Sequence, residues 1–112
     1  MGKFDGVLLV SDFDDTLYGL DLRVCPRNIE ALNYFIAQGG RFTVATGRAH
    51  RTFQPHYASV PINAPVVLSN GAAIYDFQAD RMIQQTALPP TAPQDLGEVM
   101  ERFPSLGMEA YH

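Results

Sequence analysis

Three carboxylates fall within four positions, at Asp12, Asp14 and Asp15, directly after the apolar run Val7-Leu8-Leu9-Val10. On an extended strand end, side chains spaced i, i+2 leave on the same side, which places Asp12 and Asp14 together. Two carboxylates about 4 Å apart repel by roughly 4 kcal/mol at an effective dielectric near 20. A fold that keeps them together must cancel charge, with a divalent cation or a shared proton. The plainer alternative is an acidic loop in which Asp12 or Asp15 caps a turn.

Two other apolar runs end in residues suited to an anion. Arg41-Phe42-Thr43-Val44-Ala45 leads into Thr46-Gly47-Arg48, and Pro65-Val66-Val67-Leu68-Ser69 leads into Asn70-Gly71. Thr46 offers a hydroxyl, and Gly47 lets backbone N–H groups approach an oxyanion. A helix starting after Thr46 adds the positive end of its dipole. Thr46 is equally placed to cap that helix, Gly47 and Gly71 to serve as plain turn glycines, and Arg48 to be a solvated helix residue. Carboxylates for a cation beside donors for an anion suit a phosphate ester with magnesium. One carboxylate can attack phosphorus to give an aspartyl-phosphate. A second, two residues on, can protonate the leaving alcohol and then activate water.

The elements that must position these groups follow from periodicity. The run ending at Asp12 reads as a buried parallel strand. Pro26 suits a first helical turn, Ile29, Leu32, Phe35 and Ile36 recur at helical spacing, and Gly39-Gly40 stops the helix. The Arg41 and Pro65 runs are strands, with a shorter helix over 49–57 between them. Strand, helix, strand, helix, strand implies right-handed crossovers and a parallel sheet with its chemistry at the carboxyl ends of the strands. Residues 73–77 and 82–86 read as a hairpin. Pro89-Pro90 and Pro93 mark a linker. A last amphipathic helix runs through Leu96, Val99, Met100 and Phe103, and residues 107–111 are placed to begin another strand. The division is therefore an α/β core over 1–88 and the start of a second unit over 89–112.

The totals limit the rest. At 112 residues and 46% hydrophobic, the chain suits one modest domain with a packed core. A net charge of −4, a pI of about 5.1 and the lack of a basic stripe argue against nucleic acid. Cys25 is the single cysteine, so no internal disulfide can form. The first apolar run is too short for a signal sequence, Gly6 stands where a myristoylation motif needs Ser or Thr, and no stretch approaches a membrane span. These features lead us to expect a soluble cytoplasmic protein without a membrane partner. His50 and His56 lie six apart in a polar segment and read as surface residues. Tyr18, Phe35, Phe42 and Tyr75 read as core or rim, and Asp76 and Asp80 as hairpin charges.

Asp12-Phe13-Asp14-Asp15-Thr16-Leu17 resembles the DxDxT signature of the haloacid dehalogenase superfamily of phosphohydrolases. Its spacing to Ala45-Thr46-Gly47-Arg48 and then to Leu68-Ser69-Asn70-Gly71-Ala72 resembles the Cof-type branch (cap class IIB), which carries a mobile α/β cap after the third strand. The resemblance implies a partial Rossmann-like core, the beginning of the cap, and magnesium-dependent hydrolysis of small phosphorylated metabolites such as sugar phosphates. It implies Asp12 as nucleophile and magnesium ligand. It implies Asp14 as general acid/base, giving the metal its backbone carbonyl. Thr46 and Gly47 would hold the phosphoryl group, with Arg48, Asn70 and Gly71 at the pocket mouth beside Asp15. Cap-bearing branches often have Gly in place of Asp15, and Asp is also common there.

The superfamily also uses a Lys, sometimes an Arg, and a downstream acidic group. Lys3 is the only lysine, several residues ahead of the first strand and so at the far end of the sheet; no later strand ends in paired acids. The expectation is the N-terminal portion of a longer enzyme, binding magnesium weakly and turning over phosphate esters slowly or not at all. A phosphotransferase or mutase using the same intermediate is an alternative, as is an inactive fragment needing a complementing segment. In the superfamily the first strand is central. Here it would form an open hydrophobic edge that pairs with a second copy or aggregates.

Overall fold

The computed structural model describes residues 2–110. One five-stranded sheet runs in the order β1 (Leu8–Asp12), β2 (Arg41–Ala45), β3 (Val66–Leu68), β4 (Ala73–Asp76), β5 (Arg81–Gln85). The first three strands are parallel, and β4 and β5 continue the sheet antiparallel. Helices α1 (Pro26–Ala37) and α2 (His50–Tyr57) make the crossovers, and α3 (Ala92–Arg102) follows the hairpin.

Helix α1 starts with Pro26, whose missing N–H would have no helical partner there. It ends in a Schellman motif: Gly39 adopts φ 90°, its N–H donates to the Ile36 carbonyl, and Gly40 N–H donates to the Phe35 carbonyl. Leu32 is its buried anchor, with Ile29, Phe35 and Ile36 packed against the core. The core is centred on Phe13, Phe42, Val44, Phe53, Val66 and Leu68, all fully buried. Phe42 and Tyr75 are buried, and Tyr18 and Phe35 pack at the rim, as the sequence implies.

Strand β1 is the sheet edge. The side chains of Val7 to Val10 are about half exposed, from 44% for Leu9 to 58% for Leu8. A groove of about 350 Å³ runs beside this edge between Leu9, Val10, Leu17, Ala31, Leu32 and Phe42. The strand expected to be buried is therefore covered on one side only, because no strand lies beyond it among the described residues. Helix α3 has no buried residue, and its apolar side chains Leu96, Val99, Met100 and Phe103 face solvent. Residues 107–110 are irregular, so the start of a strand expected there is not formed; Tyr111 lies outside the described residues. No helix of the described residues is long and apolar enough to cross a membrane.

Candidate active site

Register brings three strand ends abreast. Asp12, the last residue of β1, pairs with Ala45, the last of β2, and Ala45 pairs with Val67 of β3. A cleft of about 250 Å³ opens over this row, lined by Asp12, Ala45, Thr46, Gly47, Val67, Asn70 and Gly71. Five of the eight residues singled out from the sequence thus share one cavity. Asp12 is exposed to it, and one of its oxygens, Oδ2, accepts a hydrogen bond from Thr16 Oγ1 at 3.2 Å.

The two loops opposite Asp12 are stitched to each other. Thr46 N–H donates to the Val67 carbonyl at 2.9 Å, Asn70 N–H to the Thr46 carbonyl at 3.1 Å, and Ser69 N–H to the Arg48 carbonyl at 2.9 Å. Thr46 is buried, and its Oγ1 accepts the Arg48 N–H at 3.1 Å. It therefore closes a local turn and does not cap α2, whose N-cap, Ala49, has no side-chain partner. Helix α2 begins only at His50, and none of its first turn lines the cleft, so the expected dipole contribution comes from too far along the chain.

The turn after β3 is backbone-strained. Ser69, Asn70 and Gly71 have φ of 50°, 55° and 97° in succession, a left-handed run that only glycine adopts without cost. Such strain is kept where surrounding contacts over-determine it, and here the bonds from Asn70 and Ser69 to Thr46 and Arg48 do so. Gly47 differs: a Cβ there would lie 3.0 Å from Asn70 Oδ1, a tight contact that the Asn70 side chain would have to shift to relieve.

Asp14 is placed differently from the expectation. The chain leaves the extended conformation after Phe13, and the N–H groups of Thr16, Leu17 and Tyr18 all fold back onto the Phe13 carbonyl. Asp14 then meets Arg48, which donates from Nη2 to Oδ1 at 2.7 Å and from Nε to Oδ2 at 2.9 Å. Strand β1 stops at Asp12, so Asp14 lies in the turn that follows the strand and not on the strand itself. These hydrogen bonds from Arg48 hold the Asp14 carboxyl below its ordinary range; burial opposes them more weakly, and the charge of Arg48 adds to the lowering. Arg48 is raised in turn by its bonds to Asp14. Charge cancellation at Asp14 thus comes from the chain itself. Neither Asp14 nor Arg48 lines the cleft; they form its flank, next to Gly47.

Asp15 is exposed with φ 60°, and its N–H donates to the Tyr18 carbonyl. A left-handed position suits Gly or Asp and few others, which gives a physical reason for the choice between them at this place in the signature.

His50 and His56 are half-buried and packed on aromatic rings, where the sequence suggested surface residues. His50 lies against Tyr75 at 4.2 Å and stacks on Phe77 at 5.4 Å, and its buried Nε2 has no hydrogen-bond partner among the described residues. His56 packs on Tyr18 and Phe13 and meets Arg48 Nη1 at 3.1 Å. A polar-looking helix hid both, because the residues they pack on, at 13, 18, 75 and 77, belong to other elements.

The model of the haloacid dehalogenase-like hydrolase family matches residues 9–111. The chain belongs to that family. BT1666 of Bacteroides thetaiotaomicron, described among phosphatases of the haloalkanoate (HAD) enzyme superfamily, superposes with a TM-score of 0.75 at 26% identity, covering 88% of this chain and 36% of that one. A protein of Mycoplasma pneumoniae is 34% identical over 92 residues, covering 82% of this chain and 32% of its own length. Pyridoxal phosphate phosphatase YbhA of Escherichia coli is 28% identical over 82 residues, covering 73% of this chain and 30% of its own length. The chain spans about a third of the length of the curated relatives it matches. As a member of that family it has a mixed α/β sheet, with Asp12 at the tip of its first strand.

Among the described residues no three His, Cys, Asp or Glu side chains are grouped as a metal cage. Magnesium does not require one: it is usually held by one or two carboxylates together with substrate oxygens and water. The exposed Asp12 carboxylate, hard and oxygen-only, fits that mode.

Proposed function

We propose that this chain carries the phosphoryl-handling part of a magnesium-dependent phosphatase acting on small phosphorylated metabolites. The observation that carries the reading is that Asp12 faces Thr46, Gly47 and Asn70 across one cleft. Names of relatives such as a pyridoxal phosphate phosphatase support the substrate class. Asp12 and the backbone carbonyl of Asp14 would hold magnesium, which when bound offsets the negative charge of the phosphoryl oxygens.

In this reading an Asp12 carboxylate oxygen attacks phosphorus, an aspartyl-phosphate forms, and the bond from phosphorus to the ester oxygen breaks. Thr46 Oγ1 and the backbone around Gly47 and Asn70 bind the phosphoryl oxygens. Asp14 gives its proton to the departing alkoxide. Water then attacks phosphorus while Asp14 takes the water's proton, inorganic phosphate leaves, and the Asp12 carboxylate is restored. Asp14 has both oxygens on Arg48 here, so one of them is released for either transfer while the other stays on the fork.

Residues 89–112, with the unburied helix α3, are assigned to the start of a cap that would choose the substrate. A second reading, a chain that acts only with a complementing segment, is favoured by the open β1 edge and by the position of Lys3, which is packed on Phe4 ahead of β1.

Beryllofluoride, a mimic of a carboxyl-bound phosphoryl group, tests the nucleophile without requiring turnover. With magnesium present, fluorine NMR of the wild-type chain should show a bound signal that Asp12→Asn abolishes while the fold persists. Equal binding by both proteins would sink the assignment.

A further inference from the structure

Arg48 is held from several directions at once. Besides its two bonds to Asp14, Nη1 donates to the Thr52 carbonyl at 3.2 Å and lies 3.1 Å from His56 Nε2. Its guanidinium carbon sits 5.9 Å from the centre of the Phe13 ring and 6.0 Å from that of Tyr18. Those two rings are stacked at 5.0 Å, and the His56 ring closes the box, 4.9 Å from Tyr18 and 5.6 Å from Phe13. A guanidinium has donors only, so in this contact Nε2 of His56 carries the lone pair and the ring proton sits on Nδ1.

The arginine fork is planar, so fixing Nη1 also fixes the direction in which Nε and Nη2 point. Thr52 and His56 hold that end; Asp14 takes the other. Phe13 and Tyr18 belong to the same loop as Asp14, and Tyr18 pairs with it through the backbone. The orientation of Asp14 therefore depends on a histidine 42 positions further along the chain, on the last turn of α2.

We propose that His56 is a positioning residue for Asp14: its Nε2 fixes the Arg48 fork, and the fork sets the direction of the Asp14 carboxylate. The functional consequence rests on the acid/base role proposed for Asp14. The geometry of the box can be tested apart from that role.

The test is NMR on the 112-residue chain. Nitrogen shifts of His56 in the wild type should report the Nδ1–H form, and an Nε2–H form overturns the proposal without any variant. His56→Phe keeps an aromatic ring and removes the acceptor, whereas His56→Gln keeps an acceptor. Exchange of the Arg48 Nε–H should quicken about fivefold in His56→Phe, the loss of one hydrogen bond of ordinary net strength, and stay near the wild-type rate in His56→Gln. An unchanged rate in His56→Phe also overturns the proposal. In p-nitrophenyl phosphate hydrolysis, His56→Phe should lower kcat with KM unchanged, and His56→Gln should recover most of the loss. A chain with normal beryllofluoride binding but no dependence on His56 would refute the positioning role alone. A chain without beryllofluoride binding would refute the proposed reaction and leave the box to be judged by exchange.

Discussion

Arg48 grips both carboxylate oxygens of Asp14, at 2.7 and 2.9 Å, across 34 positions of chain. The pair sits where the opening acidic loop and the loop after β2 meet. Its partial exposure limits its worth, since ion pairs in contact with solvent contribute only about 0–1 kcal/mol.

The pair gives stability a pH dependence of definite sign. The folded Asp14 carboxyl lies below the ordinary aspartate value of 3.8, so its contribution is fully present above that value and is lost as pH falls through the folded one. Arg48→Gln should remove this share. Chemical denaturation from pH 7 down to pH 2 should show the wild type and the variant converging at the acid end. Parallel curves over the whole range would show that the pair does not stabilise the fold. Arg48→Lys should resemble Arg48→Gln more than the wild type, because an ammonium cannot present the two-pronged fork.

Thr46 has a separable contribution. Thr46→Val keeps the shape of a buried side chain but leaves the Arg48 N–H without its acceptor. We expect a loss of about 1–3 kcal/mol in unfolding free energy and weaker beryllofluoride binding. Thr46→Ser should restore both. Denaturation combined with fluorine NMR checks the pair of effects, and a fully stable Thr46→Val that still binds would contradict the role given to this hydroxyl.

The two cleft glycines should fail in different ways. At Gly71 the backbone has φ 97° and a Cβ would meet nothing within 4 Å, so Gly71→Ala should cost stability through strain alone, roughly 1–2 kcal/mol. At Gly47 the φ is unremarkable, but a Cβ would stand 3.0 Å from Asn70 Oδ1. Gly47→Ala should therefore push Asn70 aside and weaken anion binding with less effect on stability. Reversed outcomes, a loss of binding at 71 and of stability at 47, would show that the loops are held by other contacts.

The open edge of the sheet predicts self-association. Among the described residues no strand pairs with the outer edge of β1, whose apolar side chains are half-exposed, the arrangement that recruits another strand. Sedimentation velocity should show the wild-type chain associating as concentration rises, and Leu8→Lys, at the most exposed of these positions, should shift it toward monomer. A monomer at every concentration would argue that the edge is protected.

The sequence alone determined the order of the elements, because each is written in local terms. Pro26, the Ile29-Leu32-Phe35-Ile36 spacing and Gly39 define α1 from neighbours a few residues apart, and short apolar runs ending in Asp12, Thr46 and Asn70 define the strand tips that register brings together. Contacts between residues far apart in the chain were decided only by tertiary structure. Nothing near Arg48 in the chain announces Asp14 as its partner, nothing in the polar helix 50–57 announces that His50 and His56 are packed among aromatic rings, and nothing near Phe13 announces that the backbone turns back on its carbonyl and leaves Asp14 beyond the end of β1. Periodicity reports which face a residue takes on its own element. Which charge it meets there depends on how the other elements are packed against that face.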